Sequence, residues 1–89
     1  MNEVQVKYRG HLAELTGAVG DTFEADNFEA LNIEGLLKCL RKRYGKEAEK
    51  HARTMIIALN GESILLLKHY RTALKNGDVV SFFPLCAGG

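Results

Sequence analysis

The chain has 89 residues, a formal net charge of +1 and 26% charged residues. That length accommodates one domain with a modest core, and it excludes a scaffold built around a deep substrate cavity. The near-neutral charge excludes a general attraction to nucleic acid or membranes, so we expect neither as a partner. The N-terminus lacks an apolar signal segment and no apolar run approaches ~18 residues, so we expect a cytoplasmic protein.

Residues 3–9 alternate between apolar and polar side chains, which is typical of a half-buried strand. Residues 11–17 carry two leucines three apart and end in glycine, which predicts a single helical turn. Residues 22–26 alternate again, with Phe23 and Ala25 expected to face inward. We expect the two strands to be antiparallel neighbours.

Apolar residues then recur at spacings of three and four, which predicts the main helix. They are Ile33, Leu36, Leu37, Leu40 and Tyr44. Asn32 is the expected N-cap and Gly45 the expected left-handed residue after the helix. Gly35 in the first turn costs about 1 kcal/mol against alanine, which a close backbone approach would explain. Cys39 lies off the apolar stripe and is expected to be half-buried.

The second half of the chain reads as three strands. Residues 46–53 are charged and are expected to form a loop or a helical turn. The apolar run at 54–59 predicts a strand that is covered on both faces or central in the sheet. Asn60-Gly61 is a strong hairpin signal, and residues 64–67 are the expected short returning strand. A further turn leads into the last strand, residues 79–83, which is apolar enough to lie centrally beside the first.

The cysteines and histidines show no pattern of a metal site or a disulfide. Cys39 and Cys86 are far apart in the sequence, and a reducing compartment disfavours a disulfide between them. His11, His51 and His69 stand singly, without the spacing of metal ligands, so exposed or capping roles are expected. We expect no bound metal and no bound cofactor.

The sequence ends in Gly88-Gly89, shortly after the last strand and Pro84. Because glycine has no Cβ, such a pair can thread a narrow slot in a partner. The carboxylate of Gly89 then becomes the candidate functional group. Six residues, 84–89, reach ~20 Å when extended, so the tip can enter a partner's active site while the domain stays outside.

Three stretches of the chain together resemble one family. The C-terminal stretch is Leu-Lys-Asn-Gly-Asp-Val-Val-Ser-Phe-Phe-Pro at 74–84, with a terminal Gly-Gly. The opening runs from Val6-Lys7-Tyr8 through the Leu-x-x-Leu-Thr-Gly of residues 12–17, and Ala-Leu-Asn-Gly at 58–61 lies between. The combination resembles the MoaD/ThiS-type ubiquitin-like sulfur carriers, in particular the small subunit of molybdopterin synthase.

The resemblance implies an α+β fold of the β-grasp (ubiquitin-like) type, with a mixed four- to five-stranded sheet packed on one main helix. It places a β-grasp domain at residues 1–83 and a flexible reactive tail at residues 84–89. The chain would not be an enzyme alone. A partner similar to the ubiquitin-activating enzymes would use ATP to adenylate the Gly89 carboxylate, and a sulfur donor such as a desulfurase would convert the adenylate to a thiocarboxylate.

The acceptor implied first is the large subunit of molybdopterin synthase. The tail departs from the family pattern, because Pro84-Leu85-Cys86-Ala87 stands where family members often carry a second proline. Sulfur carriers for thiamin, cysteine or homocysteine, or tRNA thiolation share the same tail, so their acceptor enzymes are alternatives. A ubiquitin-like protein modifier and a β-grasp interaction module with an incidental Gly-Gly are two further classes.

The residues expected to enter the partner ahead of Gly89 are Pro84, Leu85, Cys86, Ala87 and Gly88. The residues expected to dock on the partner's surface are Phe82, Phe83 and Leu66, with alternation turning one phenylalanine inward and the other outward. Cys86 has two possible roles: a thiol that takes part in sulfur transfer, or a small apolar side chain that packs in the partner's tunnel.

Overall fold

The computed structural model describes residues 2–85. Its strands are β1 (Glu3–Lys7), β2 (Gly20–Glu24), β3 (Ile56–Leu59), β4 (Glu62–Ser63) and β5 (Val79–Phe83). Its helices are α1 (His11–Thr16), α2 (Ile33–Tyr44) and α3 (Lys46–Ala52). The strands form one sheet in the order β2-β1-β5-β3-β4.

The sheet is mixed, as expected. β1 and β5 pair in parallel, whereas β1 with β2, β3 with β5 and β3 with β4 pair antiparallel. The last strand is therefore central beside the first. This arrangement, with α2 as the main helix, confirms the β-grasp fold. No helix among residues 2–85 is long and apolar enough to cross a membrane.

One core lies between the sheet and α2. The side chains that fill it from the sheet are Val4, Val6, Phe23, Ile57, Val80 and Phe82. Those that fill it from α2 are Ile33, Leu36, Leu37 and Leu40, the predicted apolar stripe. Tyr44, the last residue of that stripe, is half-buried. Burial of each large apolar side chain contributes about 1.5–3 kcal/mol.

The start of α2 explains its unusual glycine. The side chain of Asn32 accepts a hydrogen bond from the Gly35 amide at 2.8 Å, which confirms the predicted N-cap. A Cβ at Gly35 would lie 1.8 Å from the carbonyl oxygen of Ala30. The close backbone approach therefore requires glycine here. At the other end of α2, Gly45 was expected to be left-handed helical. It has φ 101° and ψ 176° instead, because it also leads directly into α3.

The charged segment after Gly45 forms a helix, α3, rather than a loop or a single turn. Ala48 and Ala52, four residues apart, are buried and give this short helix a small apolar face. The guanidinium of Arg53 donates to both carboxylate oxygens of Glu34 at 2.9 Å and to Glu49 at 2.7 Å. These bonds from Arg53 lower the pKa of Glu34 and fix the end of α3 against α2.

Two predicted strand segments are 3-10 turns instead. β2 ends at Glu24, which pairs with Glu3, the first residue of β1. Ala25–Asn27 then forms a 3-10 turn, in which Ala25 is half-buried rather than turned inward as part of a strand. The returning strand is β4, and Ile64–Leu66 forms a second turn. The hydroxyl of Ser63 accepts from the Leu65 amide and caps that turn, which a strand could not accommodate.

The hairpin between β3 and β4 is as predicted, since Asn60 and Gly61 have φ 51° and 87°. β3 is an inner strand, which confirms the second of the two alternatives expected for the apolar run at 54–59, and its outer face is covered only in part. Ile57 is buried against the helices, whereas Ile56 is 37% exposed on the opposite face. The helices pack on one side of the sheet, so Ile56 on the other side remains accessible, although Ala58 on that same side is buried.

Candidate functional site

The uncovered side of the sheet carries an apolar pair at the end of the last strand. Ile56 and Phe83 are direct partners in the β3–β5 ladder, and they lie opposite the core pair Ile57 and Phe82. Phe83 is half-buried, with the guanidinium of Arg9 at 5.2 Å from the centre of its ring. The predicted alternation of the two phenylalanines is thus observed, with Phe83 as the outward one.

Phe82 does not belong to a docking surface. Its side chain is completely buried, and its ring lies 6.3 Å from that of Tyr8 inside the core. A partner cannot contact it without unfolding the domain. The assignment of Phe82 as a docking residue is therefore corrected, and the assignments of Phe83 and Leu66 stay predictions.

Exposed leucines extend the apolar pair. Leu65, Leu66 and Leu85 are 72%, 76% and 69% exposed. The 3-10 turn explains the exposure of Leu65 and Leu66, because it turns Ile64 into the core and its two successors outward. Leu65, Leu85 and Ile56 line one small cavity. We define the docking face as Ile56, Leu65, Leu66, Phe83 and Leu85. Exposed apolar clusters of this kind mark interaction sites.

The chain leaves the sheet beside α1 and α3. We call the two described residues after β5, Pro84 and Leu85, the tail root. Both are exposed, and they line a cavity of about 300 Å³ together with His11 and His51. A Cβ at Gly10, which has φ 62°, would lie 3.1 Å from Cγ of Pro84. A glycine before α1 thus leaves room for the tail root, a role that the sequence pattern did not reveal.

The rest of the predicted tail, Cys86, Ala87, Gly88 and Gly89, lies outside the described residues. Their assignment as the segment that enters a partner stays a prediction, as do both roles considered for Cys86. The division into a domain of residues 1–83 and a tail of residues 84–89 is likewise a prediction.

The register that presents Phe83 is fixed at the far end of β5. The buried carboxylate of Asp78 accepts from the Lys75 amide at 2.8 Å and from the Asn60 side-chain amide at 3.0 Å. Asn60 in turn accepts from the Val79 amide at 2.8 Å. Burial raises the pKa of Asp78, but the bonds from Asn60 and Lys75 outweigh it and hold that pKa below its ordinary value. The Gly-Asp motif thus joins the hairpin turn to β5.

A second polar cluster, around Asp21, braces the fold. The hydroxyls of Tyr8 and Tyr44 both donate to the carboxylate of Asp21, and Arg43 lies 3.4 Å from the same carboxylate. Burial and the bond to Asp21 raise the pKa of Tyr8, so it stays un-ionised at neutral pH. These groups join the end of β1 to β2 and α2, and none of them belongs to the docking face.

Cys39 is buried rather than half-buried as expected. It is 6% exposed, and its thiol lies 3.5 Å from the carbonyl oxygen of Asn27, which covers it from the 3-10 turn after β2. Burial raises the pKa of this thiol, which disfavours the reactive thiolate. Among residues 2–85 there is no group of three or more His, Cys, Asp or Glu side chains that could hold a metal ion.

Comparison with known proteins identifies the family. The model of the ThiS family matches residues 6–89 of this chain. The chain belongs to the ThiS family. Membership confirms the resemblance to ubiquitin-like sulfur carriers, and carriers of this family are small subunits that work with partner enzymes. A search of curated proteins gave no match.

Solved structures agree with this ThiS-family assignment. A putative molybdopterin converting factor, subunit 1, from Pyrococcus furiosus is 26% identical, with a TM-score of 0.75 over 97% of this chain and 100% of that chain. Subunit 1 in the complex of subunits 1 and 2 of molybdopterin-converting factor from Helicobacter pylori is also 26% identical, with a TM-score of 0.64 over 98% and 99% of the two chains.

A third neighbour supports the fold alone. The small archaeal modifier protein 1 from Methanosarcina acetivorans is 24% identical, with a TM-score of 0.78 over 100% of this chain and 98% of that chain. A protein modifier and molybdopterin-converting subunits thus share the architecture of this chain. The fold does not distinguish their reactions, which depend on partners.

Proposed function

We propose that this chain is a sulfur carrier whose Gly89 carboxyl group is activated by a partner and converted to a thiocarboxylate. The observation that carries the proposal is the family match, which extends through Gly88 and Gly89. The structure supports it with an exposed tail root directly after the central strand, beside an exposed apolar face. The proposal needs no catalytic side chain in the carrier itself.

Activation is needed because a terminal carboxyl group has a pKa of about 3.5 and is a carboxylate at neutral pH. A carboxylate is a poor electrophile. In the proposed sequence, a Gly89 carboxylate oxygen attacks the α-phosphorus of ATP, and pyrophosphate leaves. Hydrosulfide then attacks the acyl carbon, AMP leaves with the oxygen, a proton is released, and a thiocarboxylate remains. A donor such as a desulfurase carries this sulfur as a persulfide, so a thiol reductant supplies the two electrons that release it as hydrosulfide.

The docking face would position the tail for both steps. Binding through the domain aligns the tip with the partner's reacting groups and makes the reaction effectively intramolecular. Each large side chain of the docking face that a partner buries contributes about 1.5–3 kcal/mol. Pro84 favours extended backbone at Phe83, which directs the chain outward along the line of β5.

For the acceptor, we propose the large subunit of molybdopterin synthase. The support is that the two neighbours at 26% identity are molybdopterin-converting subunits, and that the one from Helicobacter pylori is in complex with its subunit 2. Carriers for thiamin, for cysteine or homocysteine and for tRNA thiolation are the alternatives, together with a protein modifier.

The first experiment tests the reactive terminus. The full-length chain is incubated with the adenylating enzyme of the same organism, ATP and sulfide, and its intact mass is measured. We expect an increase equal to the difference between one sulfur and one oxygen atom, located on Gly89 by fragmentation. A variant that lacks Gly89 but keeps the docking face is the matched control and should be unchanged. An unaltered mass of the wild type would exclude the proposal.

The second experiment tests the acceptor. The thiocarboxylated chain is mixed with the large subunit of molybdopterin synthase and the sulfur-free pterin precursor. Formation of the dithiolene product, with return of the carrier to its original mass, supports molybdopterin synthesis. No transfer there, together with covalent adducts on lysines of other proteins, would identify a protein modifier instead. The Cys86→Ser variant tests whether that thiol takes part in transfer.

A further inference from the structure

All three histidines of the chain lie around the tail root, although they are far apart in the sequence. His11 of α1 and His51 of α3 meet edge to face with their ring centres 5.0 Å apart, and they share a cavity with Pro84 and Leu85. His69 lines the neighbouring cavity, which Leu85 also lines. We call His11, His51 and His69 the tail-root histidines.

His69 is held in this position by an unusual backbone. Its φ of 55° lies in the left-handed region, which side chains other than glycine rarely adopt. Its ring packs at 4.2 Å from that of Tyr70, and the Tyr70 hydroxyl donates to the Arg53 carbonyl oxygen at 3.3 Å. The local strain and the stacking both favour a defined place for this imidazole beside the docking face.

Fixed cations accompany the histidines. The guanidinium of Arg9 lies over Phe83, and the exposed Lys68 and Arg71 flank His69 in the chain. Arg53 lines the His69 cavity, but Glu34 and Glu49 already hold its guanidinium. None of the described residues that line either histidine cavity is acidic. Protonation of an imidazole therefore adds positive charge that no acidic residue lining these two cavities balances.

Two lysines of α2 differ from the cations at the tail root, because a carboxylate of the same chain lies close to both of them. Lys38 and Lys42 lie 3.7 Å and 4.0 Å from the carboxylate of Glu29. Among the ion pairs of residues 2–85, the one that involves a tail-root histidine joins Glu14 to Nδ1 of His11 at 2.9 Å. Glu14 can balance one imidazolium, and a carboxylate supplied by a partner would favour protonation of the second.

We propose that the tail-root histidines and Arg9 form a cationic rim that binds carboxylates of the adenylating partner, so that docking takes up protons. The inference rests on the proposed function, because the partner that receives the tail must approach the tail root. The partner's surface would be apolar where it meets the docking face, and it would carry acidic side chains around that apolar area. Imidazole ordinarily titrates near pH 6.5, and a nearby carboxylate favours its protonated form.

The direction of the pH dependence of binding follows from the linkage between binding and proton uptake. If the complex favours the protonated imidazoles, affinity is greatest at pH values below the ordinary titration of histidine and decreases as pH rises. A tenfold preference of the complex for one protonated imidazole strengthens binding about sixfold between about pH 8 and about pH 6. Arg9 stays charged throughout this range, so its contribution depends on salt rather than on pH.

The experiment is calorimetric titration of the full chain into the adenylating enzyme of the same organism, at several pH values and in two buffers of different ionisation enthalpy. The wild type should bind more tightly at low pH and take up about half a proton near pH 7 for each imidazole that the complex prefers tenfold in its protonated form. A variant with His11→Gln, His51→Gln and His69→Gln should lose most of the pH dependence. Arg9→Gln should weaken binding at every pH and reduce the salt dependence, and Lys38→Gln is the control for loss of a compensated cation.

The outcomes separate this inference from the proposed function. Wild-type affinity that does not change with pH, or a triple histidine variant with an unchanged pH profile, would overturn the cationic rim. Formation of the acyl adenylate is measured by mass in the same samples. If the adenylate forms while proton uptake is zero, only the rim is wrong. If neither binding nor adenylate formation occurs at any pH, both proposals fail. Thermal unfolding of each variant shows that the domain is intact.

Discussion

The two faces of the sheet differ in what covers them, and β5 contributes to both. On the helix-covered face, Phe82 is completely buried, whereas the docking face leaves Leu66 76% exposed. Adjacent residues of one strand, Phe82 and Phe83, therefore belong to regions with different burial. The comparison teaches that alternation along a single strand separates core packing from the accessible face proposed for docking, so substitutions on the two faces should have separable effects.

The largest effect is expected from Phe82→Ala. Removal of a fully buried phenylalanine leaves a cavity and should lower the free energy of unfolding by about 4 kcal/mol. Phe83→Ala is the matched substitution on the other face and should lower it by less than about 1.5 kcal/mol. Urea denaturation measures both. Equal losses for the two variants would contradict the separation of the faces.

Gly35→Ala tests how tightly the covered side is packed. Alanine ordinarily favours a helix over glycine, but here its Cβ would lie 1.8 Å from the Ala30 carbonyl oxygen. We expect a loss of about 2–3 kcal/mol in the free energy of unfolding, since the backbone must move. Lys38→Ala on the exposed side of α2 is the control and should have little effect. A Gly35→Ala protein as stable as the wild type would mean that the Ala30 segment adjusts freely.

Leu66→Ser and Leu85→Ser test the docking face. Each should weaken binding to the adenylating partner by about 2 kcal/mol while the melting temperature stays close to that of the wild type. Val19→Ser marks the boundary of this face, because Val19 is 82% exposed but precedes β2, which is separated from β3 by the two strands β1 and β5. We expect that variant to bind like the wild type, as measured by calorimetry. Tight binding by both leucine variants would place the interface elsewhere.

The smallest loss is expected from Asp78→Asn. Asp78 joins the hairpin turn to β5 and so fixes the register of the strand that contributes to both faces. The bonds from Asn60 and Lys75 lower the pKa of Asp78, so its contribution is present above the ordinary pKa of about 3.9 and is lost as pH falls through the lower folded-state value. The variant should lose about 1.5 kcal/mol of unfolding free energy at neutral pH. Its stability should also decrease less on acidification. A parallel decrease in both proteins would assign the acid sensitivity to other carboxylates.

Much of the fold could be predicted because the signals are local. The N-cap of Asn32, the stripe on α2 and the Asn60-Gly61 turn each depend on a few neighbouring residues, and each is present in the structure. The prediction of a strand at 64–67 was wrong. The apolar residues there suited a strand, whereas in the structure Ser63 caps a 3-10 turn. A cap of this kind competes with strand pairing, and composition alone does not decide between them.

The sequence by itself determined the β-grasp order of elements and the family, because periodicity, turn dipeptides and the C-terminal motif are properties of contiguous residues. Only the tertiary structure decided that Phe82 is core and Phe83 accessible, since that choice depends on which side of the sheet α2 covers. It also brought histidines from α1, α3 and the segment before β5 around the tail root. That juxtaposition arises from long-range packing, and no local pattern encodes it.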